Sequence, residues 1–197
     1  MRWQVLTFLA TALVLVTPAV QSAARAELIL NGNFETGNFD SWTLGGDTTD
    51  PTTFGVDSSN PQSGTYAAYF GPYPNPITLS QTIATIPGTA YLFSFWLTNE
   101  PGSTNNSFSA GFGGSTLENL VNTNVSPYTL YNYTVVATSA TTLVNFSFTQ
   151  DFGFFNIDNI SVTQAVPEPS ALVSAGLGLA IAGVYRLSTR KKATPQG

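Results

Sequence analysis

The sequence predicts an all-β protein: an antiparallel β-sandwich of the jelly-roll type, flanked by an apolar helix at each terminus. Three observations carry this prediction. Between residues 27 and 165, apolar and polar residues alternate over several short runs, and no helical period of apolar residues is found. Turn-forming sequences such as Pro87-Gly88 and Gly113-Gly114 separate these runs. Many short strands divided by turns are typical of sandwiches and jelly rolls.

The N-terminal residues 1–26 have the three parts of a secretory signal peptide. Arg2 provides the positive charge, residues 5–16 form a short apolar run, and Ala24-Arg25-Ala26 matches the small-residue cleavage pattern. Cleavage by signal peptidase is therefore predicted to leave Glu27 as the first residue of the mature chain. The alternative is an N-terminal anchor that is not cleaved.

Residues 27–165 are predicted to form a single sandwich domain, since their length suits one domain. The alternation identifies side chains that should share the inward face of a strand, because successive residues of a strand point to opposite faces. The clearest sets are Tyr91, Phe93, Phe95 and Leu97; Tyr131, Tyr133 and Val135; and Val144, Phe146 and Phe148.

The charges of the chain are separated by position. Its six Lys+Arg lie in residues 1–26 and in the C-terminal segment, and the chain has no His. One of its eleven Asp+Glu is Glu168, so ten acids and no cationic side chain lie between residues 27 and 165. The predicted domain is therefore a polyanion.

This composition excludes several classes of function. Nucleic-acid binding requires Lys or Arg to neutralise phosphates, so no nucleic-acid partner is expected. Without His or Cys, the domain offers no imidazole base, thiol nucleophile or zinc site of the usual kind. Carboxylate chemistry, oxygen-ligated cations and neutral ligands held by aromatic and amide groups remain open.

The C-terminal residues 166–192 combine a stiff turn, an apolar run and a basic cluster. The turn is Pro167-Glu168-Pro169, and the run over about 170–187 is predicted to be a transmembrane helix. The cations that follow the run are Arg186, Arg190, Lys191 and Lys192. They predict that residues 193–197 form a cytoplasmic tail, because cytoplasmic flanks are enriched in Lys and Arg. The alternative is a buried core helix.

This combination resembles the PEP-CTERM sorting signal of exopolysaccharide-producing bacteria. The resemblance implies that an exosortase-type membrane protease recognises Pro167-Glu168-Pro169 and detaches the helix. It further implies an exported protein, held in the membrane by its C-terminal helix before processing and then found at the cell surface or in the extracellular matrix.

Three segments of the central region resemble the galactose-binding-like jelly roll of carbohydrate-binding modules. They are an opening segment, residues 28–42; a middle segment, residues 59–71; and a closing segment, residues 154–164. In that family the opening and closing segments meet and hold a structural calcium ion. The resemblance therefore implies a calcium site with a side-chain oxygen of Glu35, the backbone carbonyl of Asn33 and both kinds of oxygen from Asp158.

Further carbonyl ligands are expected from the turn of residues 61–64. Calcium prefers six to eight oxygen ligands from loops, and it would remove the repulsion between two neighbouring acids. The alternative is that Glu35 and Asp158 are ordinary solvated or turn-capping acids.

Two aromatic residues are candidates for ligand contact. Trp96 lies on the strand face opposite Phe95, and Tyr73 lies in a proline-rich loop. Both are predicted to be exposed, whereas Trp42 is predicted to pack in the core. For Tyr73 and Trp96, the alternative is an ordinary core or surface aromatic.

The leading interpretation is an exported, non-enzymatic cell-surface or matrix protein that associates with extracellular polysaccharide. Two alternatives stay open. The domain could be a carbohydrate-binding module with a defined glycan ligand, which would require a cleft lined by two or more exposed aromatic residues. It could also be a carboxylate-based glycoside hydrolase or lyase, which would require two acids facing each other across a pocket.

Overall fold

The computed structural model describes residues 25–100 and 105–165. The predicted helix at 170–187 and all residues of the sorting signal lie outside the described residues, as does most of the predicted signal peptide. Among the described residues, we find no helix with the length and hydropathy that a membrane crossing requires.

Ten strands form two five-stranded antiparallel sheets. The strands are β1 (Thr43–Gly46), β2 (Phe54–Asp57), β3 (Ala67–Phe70), β4 (Ile77–Ala84), β5 (Ala90–Asn99), β6 (Asn106–Phe112), β7 (Ser115–Val121), β8 (Thr129–Val136), β9 (Thr141–Gln150) and β10 (Phe155–Gln164). The first sheet has the order β1-β4-β9-β6-β7, and the second has the order β2-β3-β10-β5-β8. The described residues form two sheets of five strands that enclose one hydrophobic core, so the predicted all-β sandwich is confirmed. Neighbouring strands in each sheet are often far apart in sequence.

The core lies between the two sheets and consists largely of phenylalanine rings. The alternation predicted for β5 and β9 is confirmed, because Tyr91, Phe93, Phe95, Leu97, Val144, Phe146 and Phe148 are all buried. Across the interior, Phe70 of the second sheet stacks on Phe148 of the first, with ring centroids 4.1 Å apart and planes 7° apart. Trp42 packs in the same core, as predicted, and its indole N–H donates to the Asn31 carbonyl at 2.9 Å.

Replacing Phe148 with alanine is expected to lower the free energy of unfolding by about 3–5 kcal/mol, because the substitution removes a fully buried ring and leaves a cavity. Phe152→Ala is the matched control, since the Phe152 side chain is 75% exposed and its loss should change stability by less than about 0.5 kcal/mol. Urea denaturation followed by tryptophan fluorescence measures both values. Equal effects of the two substitutions would contradict this description of the core.

Candidate functional site

The opening and closing segments of the domain lie side by side. Leu28 donates its backbone N–H to the Val162 carbonyl at 2.9 Å, and the Ile160 N–H donates to the Gly32 carbonyl at 2.8 Å. A Cβ atom at residue 32 would lie 2.0 Å from the Ile160 carbonyl oxygen. The opening segment therefore requires glycine at this position, because any side chain would force the two backbones apart.

Asp158 lies where the closing segment departs from regular strand geometry. The register of β10 against β5 shifts between Asp158 and Ser161, and Asn159 has a positive φ of 50°. The Asp158 side chain is fully buried. Its Oδ2 accepts the backbone N–H groups of Gln62 at 2.9 Å and Ser63 at 3.2 Å, and its Oδ1 accepts the N–H of Asn159 at 2.7 Å.

Glu35 binds the next part of the same loop. Its Oε1 accepts the backbone N–H groups of Thr65 at 2.8 Å and Tyr66 at 2.9 Å. Glu35 and Asp158 are 123 positions apart in sequence, yet both hold one five-residue stretch of backbone, residues 62–66. The proximity expected from the sequence is therefore present in the structure.

The two carboxylates have opposite electrostatic environments. The backbone N–H groups of Tyr66 and Thr65 hold the pKa of Glu35 below its usual value. Burial raises the pKa of Asp158, and the negative charge of Glu35 raises it further. The fold therefore stabilises the charge of Glu35 well and the charge of Asp158 only in part.

The atoms around these acids are of the kind that calcium binds. The Thr65 side chain also hydrogen-bonds to the Glu35 carboxylate, and the Asn33 Oδ1 accepts only a long hydrogen bond, 3.5 Å from the Glu35 N–H. The loop of residues 62–66 presents N–H groups to both carboxylates, so the backbone itself already reduces their repulsion. No cluster of three or more His, Cys, Asp or Glu side chains occurs in residues 25–100 and 105–165.

The two aromatic candidates lie on different parts of the sandwich. Trp96 is half-buried on the outer face of the second sheet, where its neighbours across the strands are Asp158 and Leu130. Tyr73 is exposed in the loop between β3 and β4. Tyr73 and Trp96 therefore lie on separate elements, one in a loop and the other on β5.

A groove of about 360 Å³ crosses the outer face of the first sheet. Its lining comes from strands β4, β6, β7 and β9 and consists of Thr78, Ser80, Ser109, Ala110, Gly111, Gly114, Ser115, Thr116, Leu143 and Asn145. These residues carry hydroxyl and amide groups together with small residues and the exposed Leu143 side chain, with no charged or aromatic side chain among them. The Asn145 amide lies over Gly111, where a Cβ would be 2.7 Å from its Oδ1.

Sequence reasoning missed this groove. Most of its residues are the polar members of the alternating runs. The alternation was used to assign the apolar residues of these strands to the core, and the polar residues between them were not considered as a site. The available signal was the near absence of charge and aromatic residues on the polar face of β4, β6 and β9, which differs from an ordinary solvated surface.

The sandwich has the fold of carbohydrate-binding modules. TmCBM61, solved in complex with beta-1,4-galactotriose, is 19% identical, with a TM-score of 0.54 over 71% of this chain and 99% of that one. A family 16 carbohydrate-binding module is 16% identical, with a TM-score of 0.52 over 68% and 98% of the two chains. A family 22 xylan-binding domain is 16% identical, with a TM-score of 0.51 over 71% and 96%. At these identities the likeness establishes the fold.

Two family profiles match the sequence itself. The chain belongs to the family described as "Carbohydrate binding domain", whose profile matches residues 26–169. The profile described as "PEP-CTERM protein-sorting motif" matches residues 165–191, which confirms the sorting signal expected from Pro167-Glu168-Pro169 and the cations behind it. Together they indicate an exported protein of the cell surface or extracellular space.

An arabinofuranosidase, solved with bound arabinose, is 14% identical with a TM-score of 0.52, but the match covers only 27% of that enzyme. A search of curated proteins finds no match to this chain.

Proposed function

We propose that this protein is a non-enzymatic surface or matrix protein that binds neutral segments of extracellular polysaccharide along the groove of the first sheet. The observation that carries the proposal is the lining of that groove by hydroxyl and amide groups without charge. Such groups donate and accept hydrogen bonds with sugar hydroxyls. The ten acids and the absence of cations in residues 27–165 disfavour anionic polymers by repulsion.

The composition of the groove favours association with a polymer over tight recognition of one short glycan. No aromatic residue lines the groove, so stacking against sugar rings is not available there. Individual hydrogen bonds to a solvated ligand contribute about 0.5–1.5 kcal/mol each. Affinity would then come from many weak contacts along a chain, whereas a defined glycan ligand needs an aromatic-lined cleft.

Two features support a binding role without catalysis. Glycosidases of the usual kind need two carboxylates flanking the scissile bond, and no Asp or Glu lines the groove. The acids that hold the loop of residues 62–66, Glu35 and Asp158, have structural partners in the backbone. We therefore assign no catalytic role to the groove or to these two acids.

Calcium belongs to this proposal as a structural ion. Asn33, Glu35 and Asp158 would supply oxygen ligands, and the positive ion would offset the cost of the buried Asp158 charge, which the backbone N–H groups offset only in part.

The first test of the binding proposal is affinity electrophoresis of the mature protein in gels that contain a neutral galactan or a polyuronate. We expect retardation in the neutral gel only. Asn145→Ala should weaken the interaction about three- to tenfold, since it removes an amide that hydrogen-bonds in the groove. Asn132→Ala is the matched control, because Asn132 is exposed on β8 of the other sheet. Equal retardation by the two polymers would contradict the proposal.

The second test is mass spectrometry of the mature protein from its native cells. Signal-peptide removal and exosortase processing predict a chain that begins at Glu27 and ends near Pro169, because the protease would detach the segment behind Pro167-Glu168-Pro169. A chain that still contains residues 190–197 would contradict processing and would instead favour a permanent membrane anchor.

The third test is thermal unfolding of the domain in calcium and in EDTA. Calcium is expected to raise the midpoint by several degrees, because an ion that binds only the folded state stabilises it. Asp158→Asn should abolish the rise, whereas Asp151→Asn, which removes the same charge from an exposed loop residue, should retain it. The absence of any shift in the unsubstituted protein would contradict the calcium site.

A further inference from the structure

A second cavity lies on the opposite side of the sandwich from the groove. It has a volume of about 300 Å³, at the lower end of the ~300–1,000 Å³ typical of small-molecule sites. Its lining comes from the outer face of the second sheet and the adjoining loops and consists of Thr52, Asp57, Ser59, Asn60, Tyr69, Glu100, Phe154 and Asn156. None of these residues belongs to the groove or to the candidate calcium site.

Two aromatic rings form walls of this cavity. Tyr69 and Phe154 meet edge to face, with ring centroids 5.1 Å apart and planes 84° apart. The Tyr69 ring lies across β2, where a Cβ on Gly55 would be only 2.6 Å from the tyrosine hydroxyl oxygen. Glycine at this position therefore provides the space that the ring occupies. The first sheet's groove offers no comparable aromatic surface.

Asn156 provides the observation that points to a ligand. Its side chain is only 6% exposed, yet it lines the cavity. Its Oδ1 accepts one long hydrogen bond, 3.3 Å from the Asn60 Nδ2, and its own NH₂ group donates to no residue in the described part of the chain. Buried polar groups are nearly always hydrogen-bonded, because an unsatisfied one costs about 1–3 kcal/mol. The cavity therefore has an open donor for which the described residues supply no acceptor.

The charges around the cavity restrict what that acceptor can be. Asp57 and Glu100 both line the cavity, and no Lys, Arg or His occurs between residues 27 and 165 to balance them. An anionic ligand would be repelled by both carboxylates. A bare cation would face the NH₂ group of Asn156, which donates hydrogen bonds and offers no lone pair to a metal. A hydroxyl satisfies both requirements, because it accepts from the amide and donates to a carboxylate.

We propose that this cavity binds one neutral pyranose unit, with its apolar ring face against Tyr69 or Phe154 and its hydroxyls on Asn156 and Asp57. The inference rests on the proposed role in polysaccharide binding and extends it. Because the groove and the cavity lie on the outer faces of opposite sheets, one domain could hold two polysaccharide chains at once. The protein would then cross-link a matrix by multivalent contact rather than coat a single polymer.

The test is saturation-transfer NMR of the mature protein with methyl β-D-galactopyranoside, methyl β-D-glucopyranoside and the corresponding methyl glucuronide. We expect weak binding of a neutral glycoside and none of the glucuronide. Phe154→Ala should weaken binding about tenfold or more, whereas Phe152→Ala, the exposed phenylalanine two residues away, should not change it. Asn60→Trp is a second variant, since it fills the cavity from an exposed rim position without touching the core.

The outcomes separate this inference from the proposed function. Glycoside binding that is unchanged in Phe154→Ala and Asn60→Trp, equal binding of the glucuronide, or displacement of the glycoside by calcium would each overturn the cavity assignment. Cleavage of a methyl glycoside would overturn a binding role.

If Asn145→Ala weakens galactan retardation while both cavity variants leave glycoside binding unchanged, the cavity assignment alone fails. If the cavity variants lose glycoside binding while Asn145→Ala leaves galactan retardation unchanged, the groove assignment alone fails.

Discussion

Backbone N–H groups stabilise the carboxylates of this domain, because no cationic side chain is available between residues 27 and 165. Asp47, Asp50 and Asp57 each accept the N–H of the residue two positions later, in Asp-x-Thr or Asp-x-Ser turns. Glu35 and Asp158 also accept backbone N–H groups, but their donors are distant in sequence, in the loop of residues 62–66. Hydrogen bonds to a charged acceptor are stronger than those between neutral groups, so each N–H partner contributes to local order.

The same interaction attaches the beginning of the domain to its end. One oxygen of Glu27 accepts the N–H groups of Leu28, Ile29 and Val162, and the other accepts the Ser161 hydroxyl. Glu27 is the residue predicted to become the first of the mature chain. The first residues after the predicted signal peptide are therefore held against the last strand. The attachment is made to β10, which ends just before the sorting signal begins in the sequence.

Most aromatic side chains of this domain lie in the core, and only a few lie at the surface. Phenylalanine rings from both sheets fill the interior, where large rings bury much apolar area. Few aromatic residues remain for the surface, and they are scattered: Tyr73 and Phe152 in loops, Trp96 on one sheet face, and Tyr69 with Phe154 in the cavity. The groove of the first sheet has none. The two outer faces therefore differ in chemistry, one offering hydroxyl and amide groups and the other offering rings, an open amide and carboxylates.

Local patterns in the sequence determined the fold class, the core residues and the C-terminal sorting signal. Residues of a strand alternate between faces, so Phe93, Phe95, Phe146 and Phe148 could be assigned to the interior from spacing alone. The sorting signal is a contiguous stretch, and Glu35 and Asp158 were expected to meet because their segments resemble a known fold. The tertiary structure alone decided the rest. Asn156, Tyr69 and Asp57 lie on three different strands, and whether a buried amide has a partner depends on side chains from distant segments. No local pattern records that arrangement, because it arises only when the sheet aligns its strands.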